Sequence, residues 1–112
     1  GSVARIIDDL IEIGVDILNP VQTSAGRMSD LEGLKTRFGK DIVFCGAIDT
    51  QKVLPYGTPD EVRAEVRRAI NILGKDGGYM VASVHTIMNE VPPDNILAMV
   101  DAVEEYGYYP LK

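Results

Sequence analysis

Phe38-Gly39-Lys40-Asp41-Ile42-Val43-Phe44-Cys45 is the stretch that decides the fold. It joins a helix-period segment to a short apolar run through one Gly-x-Asp turn. The run from Ile42 to Cys45 is β-branched and aromatic, the composition of a buried strand. The same joint recurs at Gly14-Val15-Asp16 and at Gly74-Lys75-Asp76, each time between a helix-period segment and an apolar run. The spacings are uneven, so the joints do not form a solenoid repeat. Strands separated by helices run parallel, because a tight hairpin cannot connect them. Near-continuous apolar strands belong to sheets covered on both faces. The fold class is therefore α/β.

Working outward, Val3, Ile6, Ile7, Leu10 and Ile11 recur at helical spacing over Val3 to Ile13, and Gly14 stands where a left-handed residue would end that helix. Val15 to Leu18 then reads as the first strand. Ser29-Asp30-Leu31-Glu32 predicts a capping box, with Leu31, Leu34 and Phe38 on the apolar side. Thr58-Pro59-Asp60-Glu61 offers an N-cap, a first-turn proline and first-turn acids, followed by Val62, Val66, Ala69, Ile70 and Leu73 on one face. Gly77 to Ser83 is the third strand. The last helix starts at Pro92-Pro93-Asp94-Asn95, faces Ile96, Met99, Val100 and Val103 inward, and closes at Gly107. The count is three parallel strands alternating with four helices. A closed (β/α)8 barrel takes about 250 residues. The 112 residues therefore suit either a small open layer or the last portion of a barrel.

The composition excludes several roles. With 17 acidic against 11 basic side chains the formal charge is −6, which argues against a broad phosphate-binding surface and so against nucleic acid. No apolar run approaches the roughly 18 residues of a membrane span, and no basic segment precedes an apolar stretch at the start. The lone Cys45 rules out an internal disulfide framework and a four-cysteine zinc site, and the expected compartment is cytoplasmic. Gly1-Ser2 reads as native sequence or as residues left by cloning.

In parallel α/β folds ligands meet the carboxyl ends of strands. That rule selects Asn19 to Gln22, Cys45 to Thr50, and Ser83 to His85. The Gly46 to Gly57 loop is long for such a connection. His85, the only histidine, could ligate a metal, hydrogen-bond an anion or shuttle protons, or simply cap a loop carbonyl. Asn19 and Gln22 could orient a carboxylate or amide, or satisfy a bent backbone. Asp49 could bind substrate, or hold loop amides. Cys45 has no basic neighbour in sequence and reads as a small core residue. Gly77-Gly78 follows a helix and precedes a strand, the wrong order for a phosphate cradle. Arg63, Arg67 and Arg68 interleave with Glu61 and Glu65 as a solvated helix face. No P-loop, serine elbow or His-Glu-x-x-His pattern is present.

Taken in order, Gly14 to Gln22, Gly46 to Gln51, Leu54-Pro55, Gly57 to Val62, Gly77 to His85, Val91 to Val100 and Tyr106 to Pro110 resemble the uroporphyrinogen decarboxylase family over nearly the whole chain. The resemblance implies the carboxy-terminal portion of a (β/α)8 barrel, spanning residues 1–112. That family includes heme-pathway decarboxylases and cobalamin-dependent methyltransferases. His85 falls where the decarboxylases place a pocket histidine and the methyltransferases a zinc-binding cysteine. The methyltransferases' His-x-Cys pair and the decarboxylases' aspartate would lie upstream of Gly1.

The implied parent is a zinc-assisted methyltransferase acting with a corrinoid partner, His85 being a competent zinc ligand. The alternative is a cofactor-free decarboxylase of an acetate-bearing tetrapyrrole. A further alternative is an inert, self-associating piece. Substrate-binding candidates are His85, Asn19, Gln22 and Asp49, and the metal candidate is His85. With helices mostly on one side, the barrel-interior face would expose Ile17, Val43, Phe44 and Met80. An apolar patch beyond about a few hundred Å² is unfavourable for a monomer, so a homo-oligomer burying these sheets is expected.

Overall fold

The computed structural model describes residues 3–23 and 26–111, with only the backbone of Arg27; Gly1 and Ser2 lie outside the described residues. Strands β1 (Ile17–Val21), β2 (Val43–Ile48) and β3 (Tyr79–Ser83) form one parallel sheet in that order. The helices are α1 (Ile7–Glu12), α2 (Leu31–Phe38), α3 (Val53–Tyr56), α4 (Pro59–Leu73) and α5 (Pro93–Tyr106), with 3-10 turns at Ala4–Ile6 and Gly26–Ser29. The expected α/β class is the observed one, and the open parallel sheet agrees with part of a (β/α)8 barrel. Among the described residues five α-helices replace the expected four, because the long loop after β2 coils into the single turn α3. The first helix is also shorter than Val3 to Ile13: its start is the 3-10 turn, and α1 ends at Glu12.

Local signals account for most boundaries. The Thr58 hydroxyl accepts from the Glu61 amide at 3.2 Å, and the Glu61 carboxylate accepts from the Thr58 amide at 3.2 Å. This reciprocal box starts α4 where the sequence places it. At α2 the expected box does not form. Asp30, not Ser29, caps the helix by accepting from the Gly33 amide at 3.1 Å, while Ser29 Oγ donates to the Gly26 carbonyl at 3.2 Å. The 3-10 turn occupies Ser29, and a carboxylate is the better acceptor beside a helix N-terminus. Gly14 has φ +99°, the left-handed stop anticipated after the first helix.

β1 lies two to three residues later than the expected Val15 to Leu18. Ile17 and Leu18 pair with Val43 and Phe44, but Val21 pairs with Gly46, so β1 carries an extra residue across a bulge that contains the cis Asn19–Pro20 bond. β1 is an edge strand, the place where a proline costs no ladder bond. Opposite the bulge, Gly46 has φ +114°. A side chain there would meet the Val21 backbone nitrogen at 3.0 Å, so only glycine lets the two strands approach.

The core lies between the sheet and the helices. Leu18, Val21, Phe44 and Ile48 pack with Leu31, Leu34 and Phe38 of α2 and with Val62, Val66, Ala69, Ile70 and Leu73 of α4. Phe44 is fully buried in this core, which corrects its expected place on the open face: strand alternation puts its neighbours Val43 and Cys45 there instead. α5 packs on α4, and its buried residues are Asn95, Ala98 and Ala102. Val100, expected to face inward, is exposed, and Ile96, Met99 and Val103 are half-buried. Small residues bring the two helices close and leave the larger side chains of α5 at the margin of the contact. Among the described residues no helix is long and apolar enough to cross a membrane.

Candidate functional site

At the carboxyl ends of the three strands a cleft of about 290 Å³ is lined by Pro20, Gln22, Thr50, Gln51, Val84, His85, Thr86 and Met88. Each wall follows a different strand. Gln22 comes from the residue after β1, Thr50 and Gln51 from the loop after β2, and His85 and Thr86 from the loop after β3. The structure thus brings together two of the four expected residues, Gln22 and His85. Asn19 is an exposed residue within the β1 bulge and does not line the cleft. Asp49 also lies outside the lining. It is buried, and its carboxylate accepts from the amides of Gln51 and Lys52 at 3.0 Å each and of Val53 at 3.1 Å. That bonding shapes the loop and starts α3, and it points Thr50 and Gln51 at the cleft.

The His85 side chain is exposed at the rim. Ser83 Oγ donates to the His85 carbonyl at 2.7 Å, which turns the chain as it leaves β3. Among the described residues the lining has no acid and no lysine or arginine. Its polar groups are two amides, two hydroxyls and one imidazole, a set that can donate hydrogen bonds to an anion without opposing it by charge.

The supports behind the cleft were not legible in the sequence. Tyr79 Oη donates to the Gly46 carbonyl at 2.6 Å, pinning the positive-φ turn at Gly46 and Ala47. Burial pushes this phenol above its ordinary range, and Cys45 and Glu65 add to the effect. Burial also raises the Glu65 carboxyl, an effect opposed by Arg68 and reinforced by Asp49. From α5, the buried Asn95 donates to the Leu54 and Gly57 carbonyls at 2.8 Å each, tying both ends of α3 in place. Thr50 is the polar addition that the strand-end rule alone could have found, beside the apolar Pro20 and Val84. Gln51 and Thr86 lie one residue beyond the selected segments.

Two larger clefts, of about 500 and 480 Å³, open at the opposite end of the strands around Lys35, Lys40, Lys75, Asp76, Tyr109 and Leu111. The lysines there stand at the C-terminal ends of α2 and α4, where cations offset the helix dipole. Lys35 Nζ donates to the Gly77 carbonyl at 2.6 Å; burial lowers its pKa, against the pull of Asp76. The amino-terminal ends of parallel strands serve stability, and the smaller cleft at the carboxyl ends is the candidate site.

A zinc site needs three or four converging donors. Among the described residues no three His, Cys, Asp or Glu side chains are grouped to hold a metal. Cys45 sits in the middle of β2, away from the cleft lining. His85 therefore offers one ligand without companions, and the described residues do not by themselves fit zinc.

Residues 1–106 match the family described as "Uroporphyrinogen decarboxylase (URO-D)". The chain is 36% identical over 76 residues to a uroporphyrinogen decarboxylase of Psychromonas ingrahamii, covering 68% of this chain and 21% of that protein. It is 30% identical over 78 residues to one of Pseudoalteromonas atlantica, covering 70% of this chain and 21% of that protein. With one of Magnetococcus marinus it shares 24% identity over 102 residues, 91% of this chain and 27% of that protein. The chain thus spans about a fifth to a quarter of the length of the curated relatives it matches.

Proposed function

We propose a function from the premise that this chain belongs to the uroporphyrinogen decarboxylase family. The 112 residues supply one wall of a pocket for a polycarboxylate tetrapyrrole, and the whole protein is a carboxy-lyase of porphyrin biosynthesis rather than a corrinoid-linked methyltransferase. The observation that carries this reading is the cleft itself: Gln22, Thr50, Gln51, His85 and Thr86 offer donors to carboxylates, with no acid among the described lining residues to repel them. The relatives' names point the same way.

In such a site His85 would hydrogen-bond a substrate carboxylate and hold a side arm of the ring, with the amides and hydroxyls fixing the remaining oxygens. The loss of CO₂ calls for protonation of a pyrrole carbon, and no described residue of this chain is assigned that step. The test is a titration of the 112-residue chain with an octacarboxylate porphyrin. Binding should weaken about tenfold in His85→Ala, the worth of one charge-assisted hydrogen bond, and less in His85→Gln. Binding that is indifferent to His85, or absent, would refute the reading. Zinc retained through dialysis by the wild type and lost from His85→Ala would favour the methyltransferase instead.

A further inference from the structure

His85 reaches the rim of the cleft from the loop after β3, and its side chain is exposed. An exposed side chain holds a ligand well only when the backbone beneath it is already fixed, because ordering that backbone on binding costs affinity. The sheet fixes the chain as far as Val84. Ser83, the last residue of β3, pairs with Ile48, and the next amide, that of Val84, donates to the Ile48 carbonyl at 2.9 Å. The Val84 side chain is buried. Among the described residues the next anchor along the chain is the Val91 amide on the Met88 carbonyl at 3.1 Å. Between these anchors one hydrogen bond among the described residues reaches residues 85–87, from Ser83 Oγ to the His85 carbonyl at 2.7 Å.

That length is ordinary for a good O–H···O bond. It closes a short ring from a serine side chain to the backbone two residues on, a local bond of the kind serine forms where regular pairing ends. The ring spans the torsions that lie between the anchored Val84 amide and the His85 carbonyl, so it restricts the direction in which His85 projects. The Ser83 side chain is half-buried and does not line the cleft. It meets no ligand there and acts on the cleft through His85. The ladder between β2 and β3 uses backbone groups alone, so the strand pairing does not depend on the hydroxyl.

We propose that Ser83 is the positioning residue of His85: its hydroxyl sets the rim imidazole toward the cleft before a carboxylate arrives. The proposal rests on the reading of His85 as a carboxylate-binding group. The gain comes from pre-organisation, so Ser83 is worth no more than the contact His85 itself makes.

The experiment is a double-mutant cycle in the whole protein that carries these residues, titrated with an octacarboxylate porphyrin. His85→Ala should bind about tenfold more weakly than wild type, and Ser83→Ala about fivefold more weakly. The double variant should match His85→Ala, since Ser83 has nothing left to position. Ser83→Thr keeps the hydroxyl and should bind within about twofold of wild type. Ser83→Val has the shape of threonine without the hydroxyl and should weaken binding as Ser83→Ala does, which keeps the comparison open should the alanine variant fail to fold. Ser83→Ala or Ser83→Val binding as tightly as wild type, while His85→Ala is weakened, overturns the proposal and leaves the function of the cleft standing. A further fivefold loss on adding Ser83→Ala to His85→Ala overturns it too, because a merely structural serine would act without the imidazole. Binding indifferent to His85→Ala is a separate failure, that of the reading of the cleft, and removes the proposal with it.

Discussion

Replacing Asn95 tests whether the α3 loop, and with it one wall of the cleft, is held from behind by α5. The side chain is 1% exposed. Its amide nitrogen uses both hydrogens, on the Leu54 and Gly57 carbonyls at 2.8 Å each, and its Oδ1 has no hydrogen-bond partner. Asn95→Ala removes two hydrogen bonds worth about 1 kcal/mol each and leaves two carbonyls without their donor. It also removes the unpartnered Oδ1, which returns part of that cost. The net loss is about 2 kcal/mol, or roughly 10 °C in Tm for a chain of this size.

Asn95→Asp is nearly the same shape but puts a carboxylate against two carbonyl oxygens with no cation bonded to it, and should cost about 4 kcal/mol at pH 7. Its pH dependence has a definite sign. Burial without a partner raises the folded-state pKa of that carboxyl above its unfolded value of about 3.9. The Asp variant is therefore penalised most at neutral pH and recovers as pH falls towards about 4, where the neutral acid again donates one hydrogen bond. Urea unfolding of all three proteins at one fixed concentration, at pH 7 and near pH 4, measures both effects. An Ala variant within 0.5 kcal/mol of wild type would refute the argument, as would an Asp variant no worse than Ala at pH 7.

Gly46→Ala forces a side chain into φ +114° and against the Val21 backbone nitrogen, and should cost about 3 kcal/mol. Gly14→Ala, at φ +99° with nothing within 4 Å, pays only the backbone strain, about 1 kcal/mol; equal losses in thermal melts would show that strand approach is not the reason for Gly46. Tyr79 has a folded-state pKa raised above its unfolded value near 10, so its contribution is fully present below that pH and is lost as pH climbs past it. Tyr79→Phe should flatten this alkaline decline while costing about 1 kcal/mol at pH 7 through the lost bond to the Gly46 carbonyl. An unchanged alkaline limb in the Phe variant would remove Tyr79 from the account.

The parts of the fold that the sequence foretold are those decided within a few residues. The Thr58–Glu61 box, the apolar side of α4 and the Gly14 stop depend on neighbours along the chain, and each stands where its residues place it. The errors occur where local signals compete or where pairing and parity override them. Ser29 lost the cap of α2 to Asp30 once a 3-10 turn claimed its hydroxyl. β1 shifted along the chain because its bounds follow pairing with β2, and Phe44 moved to the helix side because strand parity, not hydrophobicity, assigns a face. At the candidate site, the strand-end rule located Gln22 and His85, and of the two readings of Asp49 the structure shows the one in which it holds loop amides.

Hydrophobic period, caps and Gly-x-Asp joints by themselves determined that this chain alternates helices with buried parallel strands, and the order of its motifs identified its family. Those properties are local or additive along the chain. The tertiary structure alone decided which side chains share the cleft, and that Asn95 and Tyr79 hold its walls from 38 and 33 residues away. Contacts of that kind come from the docking of whole elements, and the positions and residue types along the chain carry no local signal of which elements will meet.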